Sequence, residues 1–315
     1  MALILGDDNP NHLNGTNEAD IIIGFGSDDT LAGHLGDDLI YGNLGNDLID
    51  GDAGNDTLYG GQGGDSISGG DGNDIIYGNF GNDTISADSG NDTIFGGQGD
   101  DSIAGDSGND LIYGNLGDDV IDGGIGNNTI YGGQGNDALE ASTGNDIIYG
   151  NFGNDTINAH DGNNTVYGGQ GNDFIFEGGG KPDSEHLFGN LGADTFEFGV
   201  SPFPPSGLTQ ATADHISDFS DAQGDRVDIF APPSGIHYVE AQSATVTSVE
   251  TALSFANGMN LASQGNVAFI AGATDGYLLV DQNDGGLFGF PTSSDWAIVL
   301  DGLNSTTLFG PQDVT

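Results

Sequence analysis

The sequence predicts an all-β protein whose larger part is a stack of flattened coils, followed by a second, mainly β domain. Three observations predict this class. A nine-residue pattern repeats without a gap from Gly15 to Phe176, its sixth position is almost always Asp, and its eighth is always Ile, Leu or Val. Beyond Phe198 the pattern stops and the composition changes. A short fixed repeat of this kind is the signature of a solenoid, in which each repeat packs only on its neighbours.

Each nonad, counted from Gly15 as position 1, reads as a six-residue turn followed by a three-residue strand. Side chains alternate along an extended chain, so position 8 faces one side of the strand and positions 7 and 9 face the other. Two nonads then make one coil of eighteen residues with two turns and two strands. Coils stacked at the strand spacing of about 4.8 Å form a rod with the position-8 side chains inside.

Composition limits the partners of this rod. The 315 residues include 49 Asp or Glu and only two Lys or Arg, which gives a formal net charge of −47. Such a chain is not expected to bind nucleic acid, which needs a basic surface, but is suited to cations. An acidic, glycine-rich chain can be disordered, but the strictly regular placement of apolar residues predicts a folded core.

The chain shows no feature of a disulfide-linked or membrane-spanning protein. It has no cysteine, so neither disulfides nor cysteine-ligated metals are expected. No apolar run is long enough to span a membrane. The N-terminus lacks the basic and apolar regions of a Sec-type signal peptide, so the protein is expected to be cytosolic or to be exported by another route.

The repeated aspartates need counter-ions, because stacking brings the position-6 carboxylates into columns where like charges repel. Calcium takes about six to eight oxygen ligands in flexible geometry, and glycine-rich turns offer carbonyl oxygens beside the carboxylates. Magnesium demands a tighter octahedron, and zinc prefers nitrogen and sulfur. The sequence therefore predicts calcium ions between the turns, on the order of fifteen. The aspartates expected to bind them are Asp20, Asp29, Asp38, Asp47, Asp56, Asp65, Asp74, Asp83, Asp92, Asp101, Asp110, Asp119, Asp137, Asp146, Asp155, Asp173 and Asp194.

These nonads resemble the RTX (repeats-in-toxin) calcium-binding motif G-G-x-G-x-D-x-U-x. The resemblance covers residues 15–176 and resumes at "GNLGADTFE", residues 189–197. It implies a right-handed parallel β-roll over residues 15–198 with an irregular insertion near 177–188. It also implies that the roll is disordered without calcium and folded with it.

The resemblance also implies a ligand set, since in RTX rolls each ion lies between turns eighteen residues apart. Asn128 and Asn164 stand where the motif has Asp, so their sites are expected to be weak or empty. Glu18 and Ser27 replace glycines in the first two nonads, and residues 1–14 are expected to form an N-terminal cap. Carried onto this chain, one site would use Asn43, Gly45 and Asp47 of one turn with Gly60, Gln62 and Asp65 of the next.

Residues 199–315 are predicted to form a capping and secretion-signal domain. "SPFPPSG" indicates a linker, and "ADHISDFSDAQGDRVDIF" alternates apolar and polar residues as a hairpin does. "SATVTSVETALSFANG" favours a helix, while "NVAFIAGATDGYLLVDQNDGG" and "DWAIVLDG" favour strands. Segments 214–219 and 224–229 resemble those that cap the roll in serralysin-type proteases. The final "GPQDVT" is loosely similar to their signals for type I secretion, which implies export through that apparatus.

No motif in the sequence predicts catalysis. There is no H-E-x-x-H helix, no G-x-S-x-G elbow and no P-loop lysine. The six histidines are scattered along the chain and favour solvated or structural roles. The protein is therefore not expected to be an enzyme.

Position 9 of every second nonad forms an aromatic series, whereas the nonads between carry mostly small or polar residues there. An exposed apolar ladder of this length marks an interface. Alternatively, Tyr simply suits strands, or the C-terminal domain covers it. The series is Tyr41, Tyr59, Tyr77, Phe95, Tyr113, Tyr131, Tyr149 and Tyr167.

Together these features predict a secreted, non-enzymatic RTX protein that serves as a structural component of a cell surface or extracellular matrix and assembles through the aromatic face. The alternative is that this face binds a cell-surface polysaccharide. Ice binding is disfavoured, because it would need a repeated Thr beside Gly-Asn-Asp and only Thr143 offers one.

Overall fold

A computed structural model of the chain describes residues 1–178 and 185–198 together with six short strands beyond them. The described residues contain strands and turns but no helix, which confirms the all-β class. The helix predicted over residues 243–258 and the linker predicted over 201–207 lie outside the described residues. No described helix could span a membrane.

The chain divides into two compact units, Met1–Ile157 and Asn158–Thr315. A further strand, β18 (Thr156–Asn158), lies where they meet in the sequence. The strands of the first unit are, in chain order, β1 (Leu3–Leu5), β2 (His12–Asn14), β3 (Ile21–Gly26), β4 (Thr30–Ala32), β5 (Leu39–Leu44), β6 (Leu48–Asp50), β7 (Thr57–Gln62), β8 (Ser66–Asp71), β9 (Ile75–Phe80), β10 (Thr84–Ser89), β11 (Thr93–Gln98), β12 (Ser102–Ala104), β13 (Leu111–Leu116), β14 (Val120–Asp122), β15 (Thr129–Gln134), β16 (Ala138–Glu140) and β17 (Ile147–Phe152).

The odd-numbered strands of the first unit form one parallel sheet, here called the aromatic sheet, and the even-numbered strands form the other, the polar sheet. Neighbouring strands in a sheet are offset by two nonads: Ile40 pairs with Leu58, and Ile49 pairs with Ile67. This register confirms the predicted coil of eighteen residues. The chain is thus a parallel β-solenoid that rises by one strand in each sheet per coil.

The core is the predicted column of position-8 side chains between the two sheets. Each is at most 3% exposed, because positions 7 and 9 of the same strand face outward and leave position 8 as the inward residue. In the first unit these residues are Ile22, Leu31, Ile40, Ile49, Leu58, Ile67, Ile76, Ile85, Ile94, Ile103, Ile112, Ile121, Ile130, Leu139, Ile148 and Ile157.

The first fourteen residues form a coil in the same register. Strand β1 pairs with β3 and β2 pairs with β4, both parallel. Residues 6–14 follow the nonad, with Asn11 in the Asp position and Leu13 at position 8. A register counted from Gly15 misses this nonad, although Gly6 and Leu13 signal it. The segment predicted as a cap therefore has the structure of a repeat.

The second unit continues the nonad pattern and then departs from it. Thr165 pairs with His186, twenty-one residues later, so this coil holds the predicted insertion of three residues. The strands are β19 (Thr165–Gln170), β20 (Phe174–Phe176), β21 (His186–Leu191), β22 (Thr195–Phe198), β23 (Asp214–Ile216), β24 (Arg226–Ile229), β25 (Tyr238–Gln242), β26 (Val267–Ala271), β27 (Gly276–Val280) and β28 (Trp296–Leu300).

The predicted hairpin over residues 213–230 is wrong. Its two strands lie in different sheets, where β23 pairs in parallel with β21 and β24 pairs in parallel with β22. The alternation of apolar residues shows that a segment is extended, but it does not identify the pairing partner. The strands predicted farther on are present, and β27 pairs antiparallel with both β26 and β28.

Candidate calcium sites

The turns of the nonads hold their backbone in a conformation that favours glycine. In the turn from Gly42 to Asp47, Asn43 has a φ of 77° and Gly45 a φ of 127°. A Cβ atom on Gly45 would lie 2.3 Å from the carbonyl oxygen of Ser27 in the preceding coil. The close stacking of coils therefore explains why position 4 is almost always glycine.

Replacing such a glycine is expected to destabilise the folded protein. Gly63 has a φ of 128°, and a Cβ there would lie 1.9 Å from the Gly45 carbonyl oxygen. We expect Gly63→Ala to lower the free energy of unfolding by about 1–3 kcal/mol, measured by denaturant titration in calcium. Gly26→Ala is the matched control, because its Cβ would meet nothing closer than 3.7 Å. Equal effects of the two substitutions would contradict this explanation.

The position-6 aspartates are buried, with 1–2% of each residue exposed. One carboxylate oxygen joins consecutive coils. The backbone N–H of Asp47 donates to Oδ1 of Asp65 at 2.8 Å, and the N–H of Asp65 donates to Oδ1 of Asp83 at 2.7 Å. The same bond recurs along both columns of turns in the first unit, so each carboxylate is held in a fixed orientation.

The second carboxylate oxygen, Oδ2, faces into its own turn. A Cβ on Gly42 would lie 2.3 Å from Oδ2 of Asp47 and 2.6 Å from the carbonyl oxygen of Gly60 in the next coil. Acceptors thus meet acceptors in a space that is closed to water, an arrangement that is costly without a positive partner. Oδ2 has no hydrogen-bond partner in Asp29, Asp38, Asp47, Asp56, Asp65, Asp74, Asp83, Asp92, Asp101, Asp110, Asp119 and Asp137.

The pKa values of the stacked aspartates reflect the cost of burying carboxylate oxygens that have no positive partner. Burial raises the pKa of Asp56 and of Asp65 to about 7 from an ordinary value of 3.8. The hydrogen bond from the preceding coil lowers each pKa, but it offsets only part of the effect of burial, and the stacked aspartates raise the pKa further. The folded turns therefore disfavour the charged carboxylate unless a cation lies beside it.

The donors in these turns fit a hard cation. They are all oxygens, and no three His, Cys, Asp or Glu side chains converge within the described part of the chain, so carbonyl groups would supply the remaining ligands. Oxygen-only coordination with many backbone carbonyls suits calcium better than zinc or magnesium. The site residues agree with a calcium ion in charge, donor type and burial.

The structure brings together part of the predicted ligand set. Oδ2 of Asp47 and the Gly60 carbonyl converge, whereas the Gln62 carbonyl accepts a hydrogen bond from the Gly45 N–H at 2.9 Å. Oδ2 of Asp65 faces the space beside Gly60 that also holds the carbonyl of Gly78, one coil farther on. The complete ligand set stays a prediction.

Two turns differ from the others. Both oxygens of Asp20 have donors: Oδ2 accepts from the N–H and the hydroxyl of Thr16, and Oδ1 accepts from the N–H of Ala2. These bonds, the one from Ala2 first, hold the pKa of Asp20 below its ordinary value.

Glu185 occupies position 6 of the irregular coil and is fully buried. Its spacing of nine residues before Asp194 was the available signal.

From Tyr41 to Tyr149 the aromatic series forms a continuous stack on the outer face of the aromatic sheet. The rings of Tyr41 and Tyr59 lie 4.8 Å apart at 6°, and those of Tyr131 and Tyr149 lie 4.7 Å apart at 3°. In the second unit Tyr167 stacks on Phe188 at 4.6 Å. Each ring covers the faces of its neighbours, so these side chains are only half-exposed. Phe188 was not predicted as part of the series, because the insertion of three residues shifts the register of the repeat there.

A more exposed apolar feature lies at the turns that follow the aromatic strands. At position 3, Leu44, Phe80, Leu116 and Phe152 are 39–51% exposed and alternate with glutamines; we call this row the turn ridge. A cleft of about 380 Å³, lined by Leu44, Gly61, Gln62 and Phe80, opens beside Tyr41 and Tyr59. An equivalent cleft of about 330 Å³ recurs between Leu116 and Phe152.

The fold and these turns define a class of protein: a parallel β-solenoid whose turns bury carboxylate and carbonyl oxygens suited to cations. The chain belongs to the RTX calcium-binding nonapeptide repeat family and is a calcium-binding protein. The model of that family matches residues 5–40, 33–67, 68–103, 77–112, 104–139 and 140–175, which together span more than half of the chain.

Among solved structures, the chain is similar to the AlgE6R3 subunit from the Azotobacter vinelandii mannuronan C5-epimerase, determined in solution. The identity is 22%, the match covers 66% of this chain and 80% of that chain, and the TM-score is 0.24. The family assignment rests on the repeats and not on this similarity. No curated protein matches the chain.

Proposed function

We propose that this RTX protein is a secreted, non-enzymatic structural component of a cell surface or extracellular matrix, which folds on binding calcium and then assembles with copies of itself. The observation that carries the proposal is the double column of buried carboxylates whose second oxygen lacks a partner over most of the first unit. A rod built this way is stable only where calcium is plentiful.

In the proposed sites each ion lies between two turns eighteen residues apart and takes oxygens from both. The position-6 aspartates would supply the charge, and carbonyls such as those of Asn43, Gly45, Gly60 and Gln62 the other ligands. Each ion would offset two carboxylates of a chain whose formal net charge is −47. Calcium modules that work outside cells bind at about 10⁻⁴ to 10⁻³ M, so folding would follow export.

Secretion by a type I apparatus is supported by the family and by the loose similarity of the segment "GPQDVT" to signals for that route; the segment lies outside the described residues. The non-enzymatic role is supported by the absence of catalytic motifs from the sequence. Acidic side chains are the most numerous ionisable groups of the chain. The position-6 aspartates have a structural role, because one carboxylate oxygen of each accepts a hydrogen bond from the neighbouring coil.

The turn ridge supports assembly with a second copy of the chain. Its apolar side chains recur every two coils, about 10 Å, with a cleft between consecutive ones. In a two-fold, antiparallel pair of rods displaced by one coil, the apolar side chains of each copy enter the clefts of the other, because both follow the same spacing. The ridge and its period therefore favour self-association over an unrelated partner.

The distribution of charge also favours the turn ridge as the surface through which two copies associate. The opposite row of turns carries a groove lined by Asp52, Asp71, Asp88 and Asp106, which would repel a second copy. Beside the ridge, position 5 is Asn at Asn46, Asn82, Asn136 and Asn154 and Asp at Asp28, Asp100 and Asp118, but position 2 is uncharged in every turn from Phe25 to Asn151. Two copies can therefore approach along the ridge at a lower electrostatic cost than along the acidic groove.

We expect wild-type protein in a few millimolar calcium to sediment as a dimer or larger species. The double variant Phe80→Ser/Leu116→Ser is expected to sediment as a monomer with unchanged circular dichroism. Ile125→Ser is the matched control, because Ile125 is 66% exposed but lies in the opposite row of turns. A wild-type monomer at all concentrations would contradict assembly. If that monomer bound a polysaccharide through Tyr77 and Tyr113, the face would be a glycan site instead.

A further inference from the structure

Two turns carry Asn in place of the buried Asp, at Asn128 and Asn164, and their contacts differ from those of the aspartate turns. The amide nitrogen of Asn128, Nδ2, donates to the carbonyl oxygen of Gly123 at 3.0 Å and to those of Gly124 and Gly126 at 3.4 Å each. These carbonyls belong to positions 1, 2 and 4 of its own turn. The nitrogen lies beside position 1, 3.1 Å from where a Cβ on Gly123 would be, which is the place that Oδ2 takes beside Gly42 in an aspartate turn.

The turn at Asn164 has the same arrangement. Its Nδ2 donates to the carbonyl oxygen of Ala159 at 2.9 Å and to that of His160 at 3.4 Å. Both asparagines are at most 1% exposed. Two buried turns that differ in sequence at positions 1 and 2 form the same amide-to-carbonyl contacts, whereas Nδ2 of Asn11, in the partly exposed first turn, donates to Oδ1 of Asp7 at 3.4 Å.

Asn128 keeps the contact that joins the coils. Its Oδ1 accepts the N–H of Asp110 at 2.9 Å, and its own N–H donates to Oδ1 of Asp146 at 2.6 Å. Only the second atom of the side chain has changed, from an acceptor oxygen to a donor nitrogen. The stack is therefore continuous through Asn128, while the need for a positive partner inside the turn is removed.

We infer that the turns at Asn128 and Asn164 close without calcium, the side-chain amide standing in the place of the ion. The inference rests on the proposed calcium sites. In an aspartate turn, Oδ2 and the carbonyls are all acceptors and need a cation between them. In an asparagine turn, the amide N–H groups satisfy the same carbonyls and leave no buried charge.

The two columns of turns then differ in calcium content. The column that contains Asp38, Asp56, Asp74, Asp92 and Asp110 is interrupted at Asn128, whereas the other column has Asp in every turn from Asp29 to Asp155. An ion between two turns draws on both, so Asn128 removes a carboxylate from the sites on either side of it. Calcium therefore fills one edge of the first unit throughout and the other edge only in part.

The test is the number of ions per chain, counted by native mass spectrometry of the full chain titrated with calcium chloride. We expect Asn128→Asp to bind one or two more ions than wild type and to unfold at a higher residual calcium concentration. Asp74→Asn is the matched reverse variant in the same column, with an expected loss of one or two ions. An unchanged count in Asn128→Asp, or a loss of ions in Asn128→Ala, would overturn the inference.

Asn128→Ala removes the amide donors without adding charge. We expect it to keep the wild-type ion count and to lower the thermal midpoint, and this outcome remains informative if Asn128→Asp fails to fold. The two proposals fail in different ways. If wild type binds no calcium, the proposed function is wrong. If wild type binds calcium and these variants do not shift the count as stated, only the assignment of the asparagine turns is wrong.

Discussion

Removing calcium from the folded protein with a chelator at pH 8 is expected to unfold the solenoid. Burial raises the pKa of Asp92, Asp101 and Asp137 to about 7. At pH 8 without calcium, these carboxylates are therefore either charged and buried without a counter-ion, or exposed to water because the chain has unfolded. A rise in pKa from 3.8 to about 7 corresponds to roughly 4 kcal/mol for one carboxylate. The same cost recurs along both columns, whereas the usual stability of a whole domain is only about 5–15 kcal/mol.

The expected result is loss of the β signal in far-ultraviolet circular dichroism and an expanded, slowly sedimenting particle after chelation. Adding calcium back should restore both signals. Magnesium at the same concentration is the control and should restore much less, because it demands closer, octahedral coordination. A chain that stays compact in chelator would show that the columns are neutralised in some other way.

The repeat pattern was sufficient to predict the part of the fold that depends on side-chain direction. Position 8 alternates with its neighbours, which placed Ile40 and Ile49 in the core, and the spacing of Thr165 and His186 confirmed the insertion. Partner choice was not predictable in the same way. The hairpin was wrong because apolar alternation is equally strong in β23 and β24, whichever strand each of them pairs with.

The chemistry of the turns was predicted in type but not in detail. The charge and spacing of the aspartates indicated cations, but whether a given carboxylate needs one depends on nearby donors. Thr16 satisfies Asp20 in the folded chain, and neither its spacing nor its residue type signalled this. The orientation of the Asn128 amide likewise follows from the backbone carbonyls around it, which become neighbours only once the turn has folded.

The aromatic series illustrates how a correct pattern can support two roles. The predicted aromatic series is present as a stack of rings, but the parallel rings of Tyr59 and Tyr77, 4.7 Å apart, bury much of each other's surface. Stacked rings stabilise the coils on which they lie. The more exposed side chains, such as Phe80, are at the turn ridge. The apolar surface available to a partner therefore lies at the edge of the aromatic sheet more than at its centre.

Acidification of the calcium-free protein is expected to act in the opposite direction to chelation and to promote folding. The pKa of Asp47 is raised to about 6 and that of Asp65 to about 7, from 3.8, mainly by burial. For such groups the folded state binds protons more tightly than the unfolded state. Their contribution to stability is fully present below about pH 4 and is lost as the pH rises through 6 to 7.

Calcium reverses this dependence, because the ion binds the deprotonated carboxylates and competes with protons for them. Calcium affinity should therefore fall as the pH falls through 7 to 6, while the calcium-free protein gains β structure over the same interval. Circular dichroism from pH 8 to pH 5, with calcium and with chelator, measures both trends. The range stops above the isoelectric point of about 4.1, where the loss of net charge favours precipitation. Two curves with the same slope would show that the buried carboxylates are not the groups that govern folding.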